Sequence, residues 1–186
     1  MARMNKTKYT LLGALSYGPM TGYDIRKWIL RIIKNFWSES DGQIYPALAT
    51  LIKDHLVTCK EETNGKRLKK INCITSKGTK ALQQWLGIPV EPCRHRNELL
   101  LKLFFGKNMP LPQCAEHIQH HLQFSQDALC KLKIVAKHIQ EDHAHDADSF
   151  YWLMVVKHAT LHTKTEIVWC KDMLKRLKQP HQKIHQ

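Results

Sequence analysis

The chain has 186 residues, 43% of them hydrophobic, with 29 Lys+Arg against 16 Asp+Glu for a formal net charge of +13. That length suits one medium domain or two small ones, and that much apolar material excludes disorder throughout. The longest apolar stretch, Leu99 to Phe105, is broken by Lys102 and falls far short of the roughly 18 residues of a membrane span.

A basic start (Arg3, Lys6, Lys8) leads into the apolar run Leu11 to Leu15, too short for the roughly 7–15 residues of a secretory core, and it reads as the first helix. The run stops at Tyr17-Gly18-Pro19, a turn signal. Thr21 stands three residues before Asp24 in the pattern of a capping box, which predicts the start of a second helix. Tyr23, Ile25, Trp28, Ile29, Ile32, Ile33 and Phe36 follow at helical spacing, with Arg26, Lys27, Arg31 and Lys34 between them, so one buried face and one basic face are expected.

A third helix is predicted from about Gln43 to His55, with Ile44, Leu48, Leu51, Ile52 and His55 facing inward and Gln43, Pro46, Ala49, Thr50 and Lys53 outward. Pro46 belongs within about its first turn, since deeper in a helix proline costs about 3 kcal/mol. The period then changes. Val57 to Glu61, a turn at Asn64-Gly65 and Leu68 to Thr75 form a hairpin pattern, and its loop and return arm carry Lys66, Arg67, Lys69 and Lys70. Ser76 is placed to cap a fourth helix through Ala81, Leu82, Trp85 and Leu86.

Gly87, Pro89 and Pro92 punctuate the chain there, predicting a hinge between Gly87 and Asn97 and two domains, 1–88 and 89–186. The halves differ in chemistry. Up to Leu86 there are 15 Lys+Arg against 6 acids, and afterwards 14 against 10, whereas eleven of the twelve histidines follow Gly87. The electrostatic footprint is mainly in the first half.

Three helices followed by a basic two-stranded hairpin is the order of a winged helix-turn-helix. In that arrangement a helix offers small polar residues to base edges while the hairpin reaches flanking phosphates. Particular residues sharpen this reading. Leu12-Gly13-Ala14-Leu15 with Gly18-Pro19-Met20-Thr21-Gly22-Tyr23-Asp24 comes first, then Phe36-Trp37, Ser40-Asp41-Gly42-Gln43-Ile44-Tyr45-Pro46-Ala47-Leu48, Leu51 and Leu56-Val57. With Lys70-Ile71, Ile74-Thr75, Gly78, Leu82 and Trp85-Leu86, the run resembles PadR-family transcriptional regulators over nearly all of the first half.

The resemblance implies a mainly α, winged helix-turn-helix repressor or activator that binds double-stranded operator DNA as a homodimer, with Gln43 to Pro46 opening the recognition helix. The chain reads as non-enzymatic, since it carries no catalytic signature, and no cofactor is assigned. Two positions depart from the family pattern: Asn72 stands where an aromatic residue is common in the returning strand, and Lys53-Asp54-His55 replaces an acidic-acidic-Gly helix ending. Within this frame Gln43 can donate and accept at an adenine edge, Tyr45 can pack on backbone or a thymine methyl, and Thr50 and Lys53 come next. Thr21 and Tyr23, at a helix N-terminus, are placed for a phosphate. Lys66, Arg67, Lys69 and Lys70 supply wing contacts and general affinity.

In the second half Ile118, Leu122, Ser125, Leu129, Leu132, Ala136 and Ile139 recur at spacings of 4 and 3. A last helix from about Ser149 to Lys178 repeats the pattern with Leu153, Val156, Thr160, Thr163, Ile167, Cys170, Leu174 and Leu177. The stripes are expected to interlock with a twin chain, so Ile118, Leu122, Leu129, Leu132, Ile139, Leu153, Val156, Ile167 and Leu174 are the predicted dimer contacts, against the alternative of a hairpin within one chain. Asn97 to Gly106 reads as a short apolar helix pinning this region to the winged domain.

His117/His121 and His158/His162 are i, i+4 pairs that could hold a metal, and the His143-Ala144-His145 stretch could add ligands. Solvated or packed histidine is the plainer reading, and no metal is assigned. Trp152 and Trp169 belong either to the core or to a pocket for a small aromatic effector. No GxSxG, Walker A, GxGxxG or HExxH motif is present. The six cysteines form no CxxC pair, which suits reduced thiols in a cytoplasm. A ligand- or metal-gated sensor and a winged-helix protein adaptor stay open as alternatives.

Overall fold

The computed structural model describes residues 6–33, 36–37, 39–64, 67–92 and 96–178. The chain forms two compact units, Met1–Pro92 and Cys93–Gln186.

The first unit is built on α1 (Thr7–Ser16). Leu11, Leu12, Ala14 and Leu15 are buried on adjoining positions rather than on one stripe, which makes α1 the central helix. Gly18 ends it with a φ of +144°, a conformation that side-chain-bearing residues rarely adopt. The chain then enters a short strand that the turn signal had hidden, β1 (Met20–Thr21). Thr21 caps α2 (Gly22–Trp28) in the expected capping box with Asp24.

The predicted stripe of α2 is only partly buried. A π-helical turn, Ile29–Ile33, follows Trp28, and its wider hydrogen-bond spacing rotates the later residues out of phase with Ile25 and Ile29. Ile25 and Ile29 are fully buried, while Tyr23, Ile32 and Phe36 are exposed.

Helix α3 (Asp41–Lys53) begins behind Ser40, which forms a capping box with Gln43. Ile44, Ala47, Leu48 and Leu51 face the core. Pro46 is the sixth helical residue, two positions deeper than expected, and the Gly42 carbonyl loses its helical donor there. His55 faces solvent rather than the core. It has a φ of +58°, and the amides of His55 and Leu56 donate to the carbonyls of Ile52 (3.0 Å) and Leu51 (2.9 Å). That pairing is a Schellman ending. The left-handed position disfavours a side chain by roughly 1–2 kcal/mol, more than glycine's extra freedom in the unfolded chain. His55→Gly is therefore expected to stabilise the unit by about 0.5–1 kcal/mol in urea unfolding; a loss of stability would contradict this account of the ending.

Strands β2 (Val57–Asn64) and β3 (Arg67–Ile74) form the wing hairpin, and β1 joins β3 to give an antiparallel sheet of order β1-β3-β2. Asn64 pairs with Arg67, so it belongs to the strand and not to the turn. Gly65 and Lys66 lie outside the described residues. Asn72 is buried, and its amide donates to the Met20 carbonyl at 3.0 Å. The departure from an aromatic residue thus ties β1 to the wing instead of loosening it. Helix α4 (Ser76–Leu86) is capped by Thr75 rather than Ser76, because the Thr75 hydroxyl accepts from the Gly78 amide at 3.0 Å. Trp85 stacks on Tyr9 of α1, with ring centroids 4.7 Å apart.

The second unit contains α5 (Glu98–Phe104), a 3-10 turn (Gly106–Asn108), α6 (Leu111–Asp142) and α7 (Ser149–Leu177). Helices α6 and α7 pack on each other along their length. Ile118, Leu122 and Cys170 form the buried cluster, with Leu103, Ile167, Leu174 and Leu177 against it. All nine residues predicted to contact a twin are buried or half-buried in the single chain. Ile118, Leu122, Ile167 and Leu174 among them meet in one α6–α7 cluster, because antiparallel helices joined by a short loop supply one another's holes.

Candidate nucleic-acid interface

The capping and packing that orient α3 leave its outer face clear. Gln43, Tyr45, Pro46, Ala49, Thr50 and Lys53 are all exposed. Three of them are already engaged. The Gln43 Oε1 accepts from the Ser40 amide (3.1 Å) and the Ser40 hydroxyl (2.9 Å), which leaves its NH2 to address an acceptor. The Thr50 hydroxyl donates to the Pro46 carbonyl at 2.9 Å, so its methyl group and oxygen lone pairs are what it can offer. The Tyr45 ring lies over Gly22, where an added Cβ would stand 2.8 Å from its Cε1.

Thr21 and Tyr23 are placed differently from each other. The Thr21 hydroxyl donates to Asp24 Oδ2 at 2.7 Å and accepts from the Asp24 amide at 3.1 Å. Its polar capacity is largely spent on the cap, and the Asp24 carboxylate occupies the positive end of α2 where a phosphate would sit. Tyr23 is exposed, with the Lys27 ammonium 5.0 Å from its ring centroid.

In the wing, Lys69 and Lys70 are exposed on β3, opposite Glu62 and Glu61. Lys70 Nζ is 3.5 Å from Glu61 Oε1. Such an exposed pair is worth little, and a phosphate can compete for the lysine. Arg67 is the first residue of β3, and Lys66 lies outside the described residues.

The start of α3 carries groups that the sequence reading passed over. Ser40-x-x-Gln43 is a legible capping-box pattern. The Arg26–Asp41 ion pair (2.5 Å) and the Glu39 carboxylate join residues far apart in the chain, so no local pattern announced them.

Among the described residues no group of three or more His, Cys, Asp or Glu is placed to hold a metal ion. His121 instead pairs with Glu166 at 3.1 Å across α6 and α7, and His158 and His162 are exposed. His158 stands four residues after Met154 and three before Leu161, on the same exposed face of α7. Burial, and then Glu166, pushes the Cys170 thiol above its ordinary pKa, the opposite of nucleophile activation. Trp169 packs against the α6–α7 cluster, and Trp152 meets His143 edge-on with ring centroids 5.7 Å apart.

The profile of the transcriptional regulator PadR-like family matches residues 11–84, and that of the virulence activator alpha C-terminal region matches residues 95–178. The negative transcriptional regulator PadR of Bacillus subtilis is 28% identical over 179 residues, 92% of this chain and 97% of the relative. Residues 11–84 thus carry a PadR-like transcriptional regulator domain.

Solved PadR structures are similar to this chain over nearly its whole length. Bacillus subtilis PadR in complex with operator DNA superposes with a TM-score of 0.84 at 25% identity, covering 94% of this chain and 99% of that one. The same protein in complex with p-coumaric acid gives 0.75 at 24% identity, with 92% and 98% covered. The family consists of regulators and not of enzymes. No described helix is long and apolar enough to cross a membrane.

Proposed function

We propose that this chain is a PadR-family regulator that acts in the cytoplasm as a homodimeric repressor on a palindromic operator, inserting α3 of each copy into successive major grooves roughly 34–36 Å apart. The observation that carries the reading is the exposed outer face of α3, running from Gln43 to Lys53 in the same compact unit as the basic strand β3. A relative similar over nearly the full length of both chains is named a negative regulator, and a solved relative is bound to operator DNA. Gln43 would read an acceptor through its NH2, with Tyr45 and Thr50 touching apolar base or sugar surface. Lys53, Lys66, Arg67, Lys69 and Lys70 would add phosphate contacts, and Tyr23 a flanking one.

Self-association would use surface other than the seam between α6 and α7. On α7, Tyr151, Met154, Leu161 and Val168 are exposed at spacings of 3, 7 and 7, which is one helix face at heptad spacing. Apolar side chains in such a run mark an association surface. A planar aromatic effector is the second reading, favoured by the relative's complex with p-coumaric acid.

Selection of bound sequences from a random duplex pool, followed by salt titration, tests the DNA reading. Lys69→Ala with Lys70→Ala is expected to reduce the steepness of log K against log salt by about 1–2, since each phosphate contact contributes roughly 0.9. An unchanged slope would remove the wing from the interface. Binding to no duplex even at low salt would favour a protein-binding role for the winged unit.

A further inference from the structure

We propose that Glu39 is a positioning residue for DNA recognition: its carboxylate clasps the start of α3 to α1 and so sets the angle at which α3 meets a duplex. The proposal rests on the DNA-binding reading of α3. Glu39 directly precedes the N-cap Ser40. Its Oε2 accepts from the Thr7 hydroxyl at 2.9 Å, and its Oε1 accepts from Trp37 Nε1 at 2.7 Å and from the Thr10 hydroxyl at 3.4 Å. Thr7 and Thr10 stand on one face of α1, while Trp37 lies in the segment leading toward α3. Thr7 and Trp37, from two separate parts of the unit, therefore converge on one half-buried carboxylate, with the Thr10 hydroxyl shared between it and the Lys6 carbonyl at 3.3 Å.

The rest of α3 is held by other means. Its inner stripe, Ile44, Ala47, Leu48 and Leu51, packs into the core, and apolar contact is non-directional. The Schellman ending fixes the far end of the helix. Directional bonds at the near end come from Glu39 to α1 and, on a more exposed side, from Asp41 to Arg26 of α2. A carboxylate so close to a reading helix also repels phosphate. This fixes the sign of any effect of charge alone: neutralising Glu39 strengthens attraction to DNA.

Glu39→Gln in the full chain, titrated against a selected operator and against random duplex, separates the two effects. The expected result is operator affinity lower by about tenfold, as for loss of one hydrogen bond to a charged group, with random-duplex affinity equal or slightly tighter. Thr7→Val keeps the charge and removes one donor, and is expected to lower operator affinity about threefold. Thr7→Ser restores the hydroxyl and should restore the affinity. Backbone amide exchange over residues 40–44 should quicken in Glu39→Gln. Operator affinity that is unchanged, or that tightens together with random duplex, overturns the proposal, as does unchanged exchange. If the unsubstituted chain enriches no sequence from the pool, the DNA reading itself fails. If it does so while Glu39→Gln matches it, only the clasp fails.

Discussion

Gly78→Ala is expected to destabilise the first unit by about 3 kcal/mol or more, near the upper end of single-substitution effects. A Cβ at this position would stand 2.2 Å from the Leu56 carbonyl oxygen and 2.9 Å from Ile74 Cγ1. The oxygen has little freedom to move. It accepts from the Thr75 amide at 3.0 Å, the Thr75 hydroxyl is shared between it (3.1 Å) and the His55 carbonyl (2.9 Å), and Leu56 belongs to the Schellman ending of α3. Relief by displacement would disturb the end of α3, the first residues of the wing and the cap of α4 together. For a unit of this size the loss corresponds to a fall of roughly 10–25 °C in the melting midpoint. Calorimetry or urea unfolding of the full chain checks it, and a loss under about 1 kcal/mol would mean that α4 does not approach Leu56 this closely.

The second large effect separates the two apolar surfaces of the helical unit. Leu161→Glu places a charge on the exposed face of α7 and leaves the α6–α7 seam untouched. It is expected to weaken self-association about a hundredfold or more, equivalent to about 3 kcal/mol for a carboxylate deprived of water. A dimer reduced to single copies also loses avidity, so operator affinity should fall by roughly 10²–10⁴ while single half-site binding persists. Ile118→Ala acts on the other surface. Ile118 is buried against Leu122 and Cys170 within one chain, so the change should cost about 2–5 kcal/mol of folding stability. Analytical ultracentrifugation and thermal unfolding distinguish the two variants. Leu161→Glu chains that still dimerise would remove this face of α7 from the interface.

Much of the first unit was legible before any coordinates. The Thr21–Asp24 capping box, the change of period after α3 and the basic return strand each follow from local rules that act over a few residues. The exposed face of α3 was legible for the same reason, since a helix with one apolar stripe presents the other side to water. The misreadings at Ile32 and Phe36 arose where a π turn broke the assumed period. Those at Pro46 and Thr75 arose where a helix boundary shifted by one or two residues. Asn72 showed as a departure from a family pattern, but its bond to Met20, 52 residues earlier, could not be seen in a one-dimensional string.

The chain's own order of residues determined that there would be a winged reading head with a cationic hairpin, followed by two long amphipathic helices, because periodicity, caps and charge are local properties. Which apolar stripe meets which was decided only in three dimensions. A heptad records that a partner helix is required, and it carries no mark of whether that partner is the next helix of the same chain or a helix of a second copy. The same holds for Glu39 and Gly78. One gathers donors from two stretches of chain and the other makes room for a distant carbonyl, so their roles depend on contacts that folding creates.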